Sequence, residues 1–168
     1  MLGAAEIYHG SPTYLWMAEL WYFAYGWSMD KSLMRKCIGD WLDVRRATLR
    51  GFEIVFNAYS PAWRGGIANL RESEGARIIG VAYKITFDQL AKLDAFEGVP
   101  LRASRRMVLI EVEGIGEVKA ITHVAANPKD GFVQPSKEYL SAMHRGIKQH
   151  GIPSEMIKVI QRAVGRRP

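Results

Sequence analysis

Apolar positions along the chain fall into short runs punctuated by glycine, proline and charged residues. Leu20 to Tyr25 is an unbroken apolar and aromatic run, which predicts a buried strand. Gly26 stops it, yet a second tryptophan, Trp27, follows where a turn usually has small polar residues. Asp30 or Ser28 then caps a short helix, Lys31 to Cys37. Ala47 to Ala58 predicts a strand with Gly51 as a bulge or bend. Ser60 to Gly66 reads as a loop and Gly66 to Leu70 as a short strand. The polar stretch Glu72–Gly75 predicts a turn, after which Arg77 to Ile85 is a further strand.

In the second half, Thr86 caps a helix over Phe87 to Phe96, with Leu90 and Leu93 on its inner face and Gly98 ending it. Met107 to Val112 and Val118 to Ala125 are strands joined by a tight turn at Gly114-Ile115-Gly116. Pro135-Ser136 opens a helix through Gln149, closed by Gly151-Ile152-Pro153, and a last helix covers about Ser154 to Val164. Strands come mostly first and helices last. That order predicts an α+β protein, a curled mixed or antiparallel sheet with peripheral helices. The chain reads as one domain over 1–168, with an N-terminal extension over 1–19 and a basic C-terminal helix and tail over 154–168.

Composition narrows the class. With 48% hydrophobic and 24% charged residues, the chain is not of a disordered type. The net charge of +6 sits largely at the C-terminus, where six basic residues from Arg145 onward face one acid, Glu155. A solvated helix face accounts for this better than a nucleic-acid footprint. Cys37 is the one cysteine, so an intrachain disulfide and a cysteine metal cluster are excluded. His9, His123, His144 and His150 show no zinc-type spacing, and no metal site is expected. A reducing cytosol is the simplest compartment. The N-terminus lacks the basic start of a signal peptide. The run Leu20 to Trp27 is far short of the roughly 20 residues that span a membrane.

Several familiar signatures are absent or misplaced. Gly114-Ile115-Gly116 lies between strands and is no phosphate cradle. There is no GxSxG elbow, and Cys37 beside Arg35 and Lys36 is expected to be an inert thiol. Glu97 is the acid of interest. It lies at a helix end between Phe96 and Val99, where desolvation and the negative end of the helix dipole both raise a carboxyl pKa. Such a group serves general acid/base chemistry near neutral pH, although exposed loop glutamates are common. Gly26, Gly65-Gly66 and Gly98 allow close backbone approach, and backbone N–H groups suit a small zwitterionic ligand. Tyr139, near the start of its helix, offers a hydroxyl.

These residues, in this order, resemble the γ-glutamylcyclotransferases, the superfamily that includes the AIG2-like and butirosin-pathway enzymes. The likeness is carried by Tyr22-Phe23-Ala24-Tyr25-Gly26-Trp27-Ser28-Met29 (family YFAYGSN and an apolar residue) and Ala47-Thr48-Leu49. It continues through Gly65-Gly66-Ile67-Ala68, Gly80-Val81-Ala82-Tyr83-Lys84-Ile85 and Leu93-Asp94-Ala95-Phe96-Glu97-Gly98-Val99. Pro135-Ser136-Lys137-Glu138-Tyr139 and Gly151-Ile152-Pro153 complete it, so the family core spans 20–153. The resemblance implies a small β-barrel with flanking helices. It implies Glu97 as catalytic acid/base and a substrate loop acting largely through backbone N–H. The substrate-binding residues it implies are Tyr22, Ala24, Tyr25, Gly26, Trp27, Ser28, Met29 and Tyr139. It also implies a small γ-glutamyl substrate, a reaction that forms 5-oxoproline, and no metal or organic cofactor. It leaves a homodimer open.

The chain departs from the family pattern at two places. Trp27 and Ser28 stand where the family has serine and asparagine, and the tyrosine that often follows EGV is missing from Leu101-Arg102-Ala103-Ser104-Arg105-Arg106. Two functions therefore stay open: an active cyclotransferase, and a binding protein that retains the fold for a small molecule or an acidic partner. An indole packed over the Glu97 carboxylate favours the second.

Overall fold

The computed structural model describes residues 18–165. The expected N-terminal extension, apart from Ala18 and Glu19, lies outside the described residues, as do Arg166 and Arg167 of the basic tail. The elements run β1 (Glu19–Ala24), a 3-10 turn (Trp27–Met29), α1 (Lys31–Ile38), β2 (Asp43–Ser60), β3 (Gly65–Thr86) and α2 (Phe87–Glu97). They continue with β4 (Ala103–Val112), β5 (Gly116–Ala125), α3 (Lys137–Gln149) and α4 (Glu155–Gly165).

The strands close into a barrel in the order β1-β3-β2-β4-β5. All its neighbours are antiparallel except β1 and β5, which pair in parallel at Trp21–Ala120 and Tyr22–Ile121. The expected α+β barrel with flanking helices is the observed architecture. The barrel and the inner helix faces share a core in which Phe23, Tyr83, Ile85, Leu90 and Leu93 are fully buried. Each such side chain contributes about 1.5–3 kcal/mol by leaving water.

One expectation is overturned. The sequence suggests two strands flanking a turn at Glu72–Gly75, but β3 is continuous from Gly65 to Thr86. The reason is its partner. β2 is nearly as long, and the pairing passes directly from Arg50–Arg77 to Phe52–Glu72. The extra residues form an irregularity, with Gly51 at φ 84° and Gly75 at φ 82°. The intervening side chains are largely exposed and residues 73–76 have no partner on β2, so the segment reads as a polar turn although the strand resumes its pairing on both sides of it. β2 also starts earlier than expected, because Arg45 and Arg46 face outward, where Arg46 pairs with Glu113.

Local signals place the helix ends. Thr86 and Gln89 form a reciprocal capping box, with Gln89 N–H donating to Thr86 Oγ1 at 3.2 Å and Thr86 N–H to Gln89 Oε1 at 3.0 Å. Gly98 adopts the left-handed conformation and its N–H donates to the Asp94 carbonyl, so α2 stops at Glu97. Asp30 caps α1, accepting from Ser32 N–H at 2.9 Å and Leu33 N–H at 3.3 Å.

Candidate active site

The loop after β1 is the first wall of a cavity of about 120 Å³. Residues Tyr25 to Asp30 are all buried. The 3-10 turn is pinned from three sides. The Tyr83 hydroxyl donates to the Ser28 carbonyl at 2.9 Å, and His150 Nε2 lies 2.8 Å from the Met29 carbonyl. α3 presses on the turn through Gly146, where a Cβ would lie 2.6 Å from the Met29 carbonyl carbon. Arg145 Nε donates to the buried Asp30 carboxylate at 2.6 Å, tying α3 to the cap of α1. Burial tends to raise the Asp30 pKa, but the bonds from Arg145, Leu33 and Ser32 outweigh it and hold the carboxyl below its usual range.

Glu97 ends α2 with its carboxyl group on the cavity. The Trp27 indole Nε1–H donates to Glu97 Oε1 at 2.8 Å. Burial raises the Glu97 pKa above its ordinary value, opposed first by the Trp27 bond and then by neighbouring His123 and Arg102. Trp27 itself is 4% exposed, and its ring packs on Phe96 with centroids 4.8 Å apart. The indole therefore points inward, and it meets the carboxylate through its N–H edge.

On the opposite side stands Tyr139, placed by Ser136, whose hydroxyl caps α3. Its phenol oxygen accepts from Ala68 N–H at 3.0 Å. With that oxygen acting as an acceptor, the hydroxyl proton has no acceptor of its own among the described residues and is free to donate. Burial pushes its pKa well up, so the group is a neutral donor. Gly26 is required here, because any side chain on it would collide with the Tyr139 hydroxyl.

The remaining expected residues divide. Tyr22, Tyr25 and Ser28 line the cavity, whereas Ala24 and Met29 do not. Ala24 is buried in the barrel opposite Val81, and Met29 packs under α3. The hydroxyls of Tyr22 and Tyr25 are both engaged by His123, a residue that sequence reasoning missed. Tyr25 donates to the His123 carbonyl at 2.6 Å, and Tyr22 Oη lies 2.9 Å from its Nδ1. Burial holds both phenols well above their usual pKa, so both are protonated. His123 Nε2 meets Asp94 Oδ1 at 2.7 Å, and Asp94 is in turn bound by Arg105, with Nε to Oδ2 at 3.0 Å. Burial raises the Asp94 pKa, but Arg105 and His123 more than offset it, so the carboxyl is held ionised. All partners are satisfied when His123 presents Nε2–H to Asp94 and Nδ1 to the Tyr22 hydroxyl.

Trp63, also missed, joins the wall from the β2–β3 turn, edge-to-face with Tyr139 at 5.2 Å. Its Nε1 is buried without a hydrogen-bond partner among the described residues. The hints were indirect: His123's partner Asp94 lies in the LDxxEGV segment, and Trp63 stands just before GGIA. Burial, and next the charge of Glu97, push the Cys37 thiol up to about 11, which fits an inert thiol. No group of His, Cys, Asp and Glu among the described residues is arranged to hold a metal ion. No helix among them is long and apolar enough to cross a membrane.

The closed barrel with flanking helices has counterparts among known proteins. A family model described as gamma-glutamyl cyclotransferase, AIG2-like, matches residues 22–141. The chain is 32% identical over 148 residues to a gamma-glutamylcyclotransferase of Bos taurus, which covers 82% of this chain and 74% of that one. It is also 32% identical over 144 residues to a gamma-glutamylcyclotransferase of Homo sapiens, covering 80% and 73%. A solved structure of a gamma-glutamyl cyclotransferase superposes with a TM-score of 0.75 at 24% identity, covering 85% of this chain and 87% of that one, a likeness of fold. The chain belongs to the γ-glutamyl cyclotransferase, AIG2-like family of enzymes.

Proposed function

We propose that the protein releases 5-oxoproline from a γ-glutamyl amide by intramolecular aminolysis, with Glu97 as general acid/base. The observation that carries this reading is the pair on the cavity walls: a carboxyl of raised pKa at Glu97, and the uncommitted hydroxyl proton of Tyr139.

The α-amine of a γ-glutamyl group is protonated at neutral pH and cannot attack in that form. Glu97 takes a proton from the ammonium. The freed nitrogen then attacks the γ-carbonyl carbon, and its lone pair forms the new C–N bond of a five-membered lactam. The ring nitrogen gives up its second excess proton as the bond to the leaving nitrogen breaks; the leaving nitrogen keeps that bond's electron pair, takes the proton held by Glu97 and then the second one, and departs as an ammonium. The products are 5-oxoproline and the free amine, so the reaction consumes no water and no oxidant. Because ring closure is already intramolecular, the protein's contribution is a near-attack geometry and a donor for the carbonyl oxygen as charge builds on it. Tyr139 is positioned as that donor. The chemistry needs proton transfers that side chains of this chain supply, and we assign no cofactor. A lone, buried-shifted thiol suits the cytosol as the compartment.

A binding-only function remains the second reading, and one observation favours it. Trp27 fills part of the cavity and occupies one oxygen of Glu97. The two readings separate in one assay. Wild type and Glu97→Gln are incubated with a panel of γ-glutamyl dipeptides and γ-glutamyl amines, and 5-oxoproline is measured. Product from wild type and its loss in the variant support the acid/base role; equal product from both sinks it. Binding without product from wild type establishes the second reading.

A further inference from the structure

The inner end of the cavity is polar, but its mouth is aromatic. Tyr59 and Phe96 both line the cavity and are 51% and 44% exposed. Large apolar side chains left in water around a concavity mark a contact surface. Phe96 belongs to a continuous wall, and Tyr59 lines the same cavity. Trp27 stacks obliquely on Phe96 with centroids 4.8 Å apart and stands 6.4 Å from half-buried Trp63. Trp63 in turn meets Tyr139 edge-to-face. The wall thus runs from the Glu97 carboxylate and the Tyr139 hydroxyl outward to solvent.

Two separate segments build it. Tyr59 and Trp63 come from the end of β2 and the turn after it, while Phe96 comes from the last turn of α2. The β2–β3 turn is held by Arg64 N–H to the Pro61 carbonyl at 3.3 Å and by Trp63 N–H to Ser60 Oγ at 3.4 Å. Arg64 sits there at φ 57°, a conformation that non-glycine residues seldom adopt. The aromatic rim is therefore presented by a defined turn at one side and a helix end at the other.

The cavity is small, about 120 Å³. If the γ-glutamyl group lies with its amine at Glu97 and its carbonyl toward Tyr139, the leaving group extends toward the mouth. We propose that this rim is the leaving-group subsite, and that it selects γ-glutamyl compounds whose leaving amine carries a large apolar or aromatic group. The inference rests on the reaction assigned above, and deepens it by naming the class of leaving group.

The test uses γ-glutamyl-phenylalanine and γ-glutamyl-glycine, which share the reacting half. Their affinities for Glu97→Gln are measured by calorimetry, and their kcat/KM by 5-oxoproline release from wild type. The expected result is a preference for the phenylalanine compound of about tenfold or more in affinity, the scale set by burying one aromatic ring. Tyr59→Ala, a change at an exposed ring, should narrow that ratio to about threefold or less. Equal affinities, a preference for the glycine compound, no binding of either, or a ratio unmoved by Tyr59→Ala would each overturn the subsite. Equal turnover of both compounds leaves the reaction standing and removes the subsite. Selective binding with no product from any γ-glutamyl compound removes the reaction and keeps the subsite.

Discussion

Trp27 and Glu97, separated by 70 positions of sequence, meet in a 2.8 Å hydrogen bond from indole to carboxylate. The bond stabilises the ionised carboxylate against the burial that raises its pKa. Trp27→Phe keeps the ring and removes the donor, so the Glu97 pKa should rise further. The proposed general base works ionised, so the acid limb of the kcat/KM–pH profile should move to higher pH. An unmoved limb would show that this carboxylate does not govern the rate.

Glu97→Gln should abolish most turnover, by about 10²–10⁴-fold for loss of an acid/base group. It should also stabilise the fold at neutral pH. The sign follows from linkage: the folded-state pKa lies above the ordinary 4.5. Between those two values the folded chain binds more protons than the unfolded one, so stability falls as pH rises through that window. Glutamine escapes the loss. Melting temperatures of wild type and variant should diverge above the window and converge below it.

Tyr139→Phe removes the donor proposed for the reacting carbonyl and the acceptor of the Ala68 N–H. The rate should fall by about 10²–10³-fold, the scale of one oxyanion donor. Leaving the Ala68 N–H buried and unpaired should cost about 1–3 kcal/mol of stability. Steady-state kinetics and denaturant unfolding on the same preparation check both.

Gly146→Ala tests how α3 sets the substrate loop. In an unobstructed helix interior, alanine would stabilise by roughly 0.5–1 kcal/mol. Here its Cβ would lie 2.8 Å from the Met29 carbonyl oxygen, so the loop backbone must move. We expect lower stability, by about 1–3 kcal/mol for an overpacked site, and reduced kcat/KM. Gly146 does not line the cavity, so the kinetic effect would report loop position.

Much of the fold was legible where signals are local. Thr86 with Gln89, Gly98 and Ser136 mark helix ends through bonds to residues three or four positions away, and those ends fall where the sequence puts them. The candidate site was half legible. Gly26, Glu97 and Tyr139 lie in motif segments and do converge on one cavity. Ala24 and Met29 lie in the same motif but do not line the cavity, because Ala24 is a short, buried side chain at the end of β1 opposite Val81 and the tight turn tucks Met29 under α3.

His123 was not legible. Its partners are Tyr22, 101 positions earlier in the sequence, and Asp94, 29 positions earlier, and it meets Tyr22 only because β5 closes the barrel in parallel with β1. The continuity of β3 likewise depends on β2, not on its own polar middle. The sequence by itself determined the helix ends and which residue types are available for chemistry, since these rest on near-neighbour backbone bonding and residue type. Only the tertiary structure decided which aromatic faces the carboxylate, which hydroxyl keeps its proton uncommitted and which rings rim the mouth. Those depend on side-chain direction and on contacts between segments that only barrel closure and helix packing bring together.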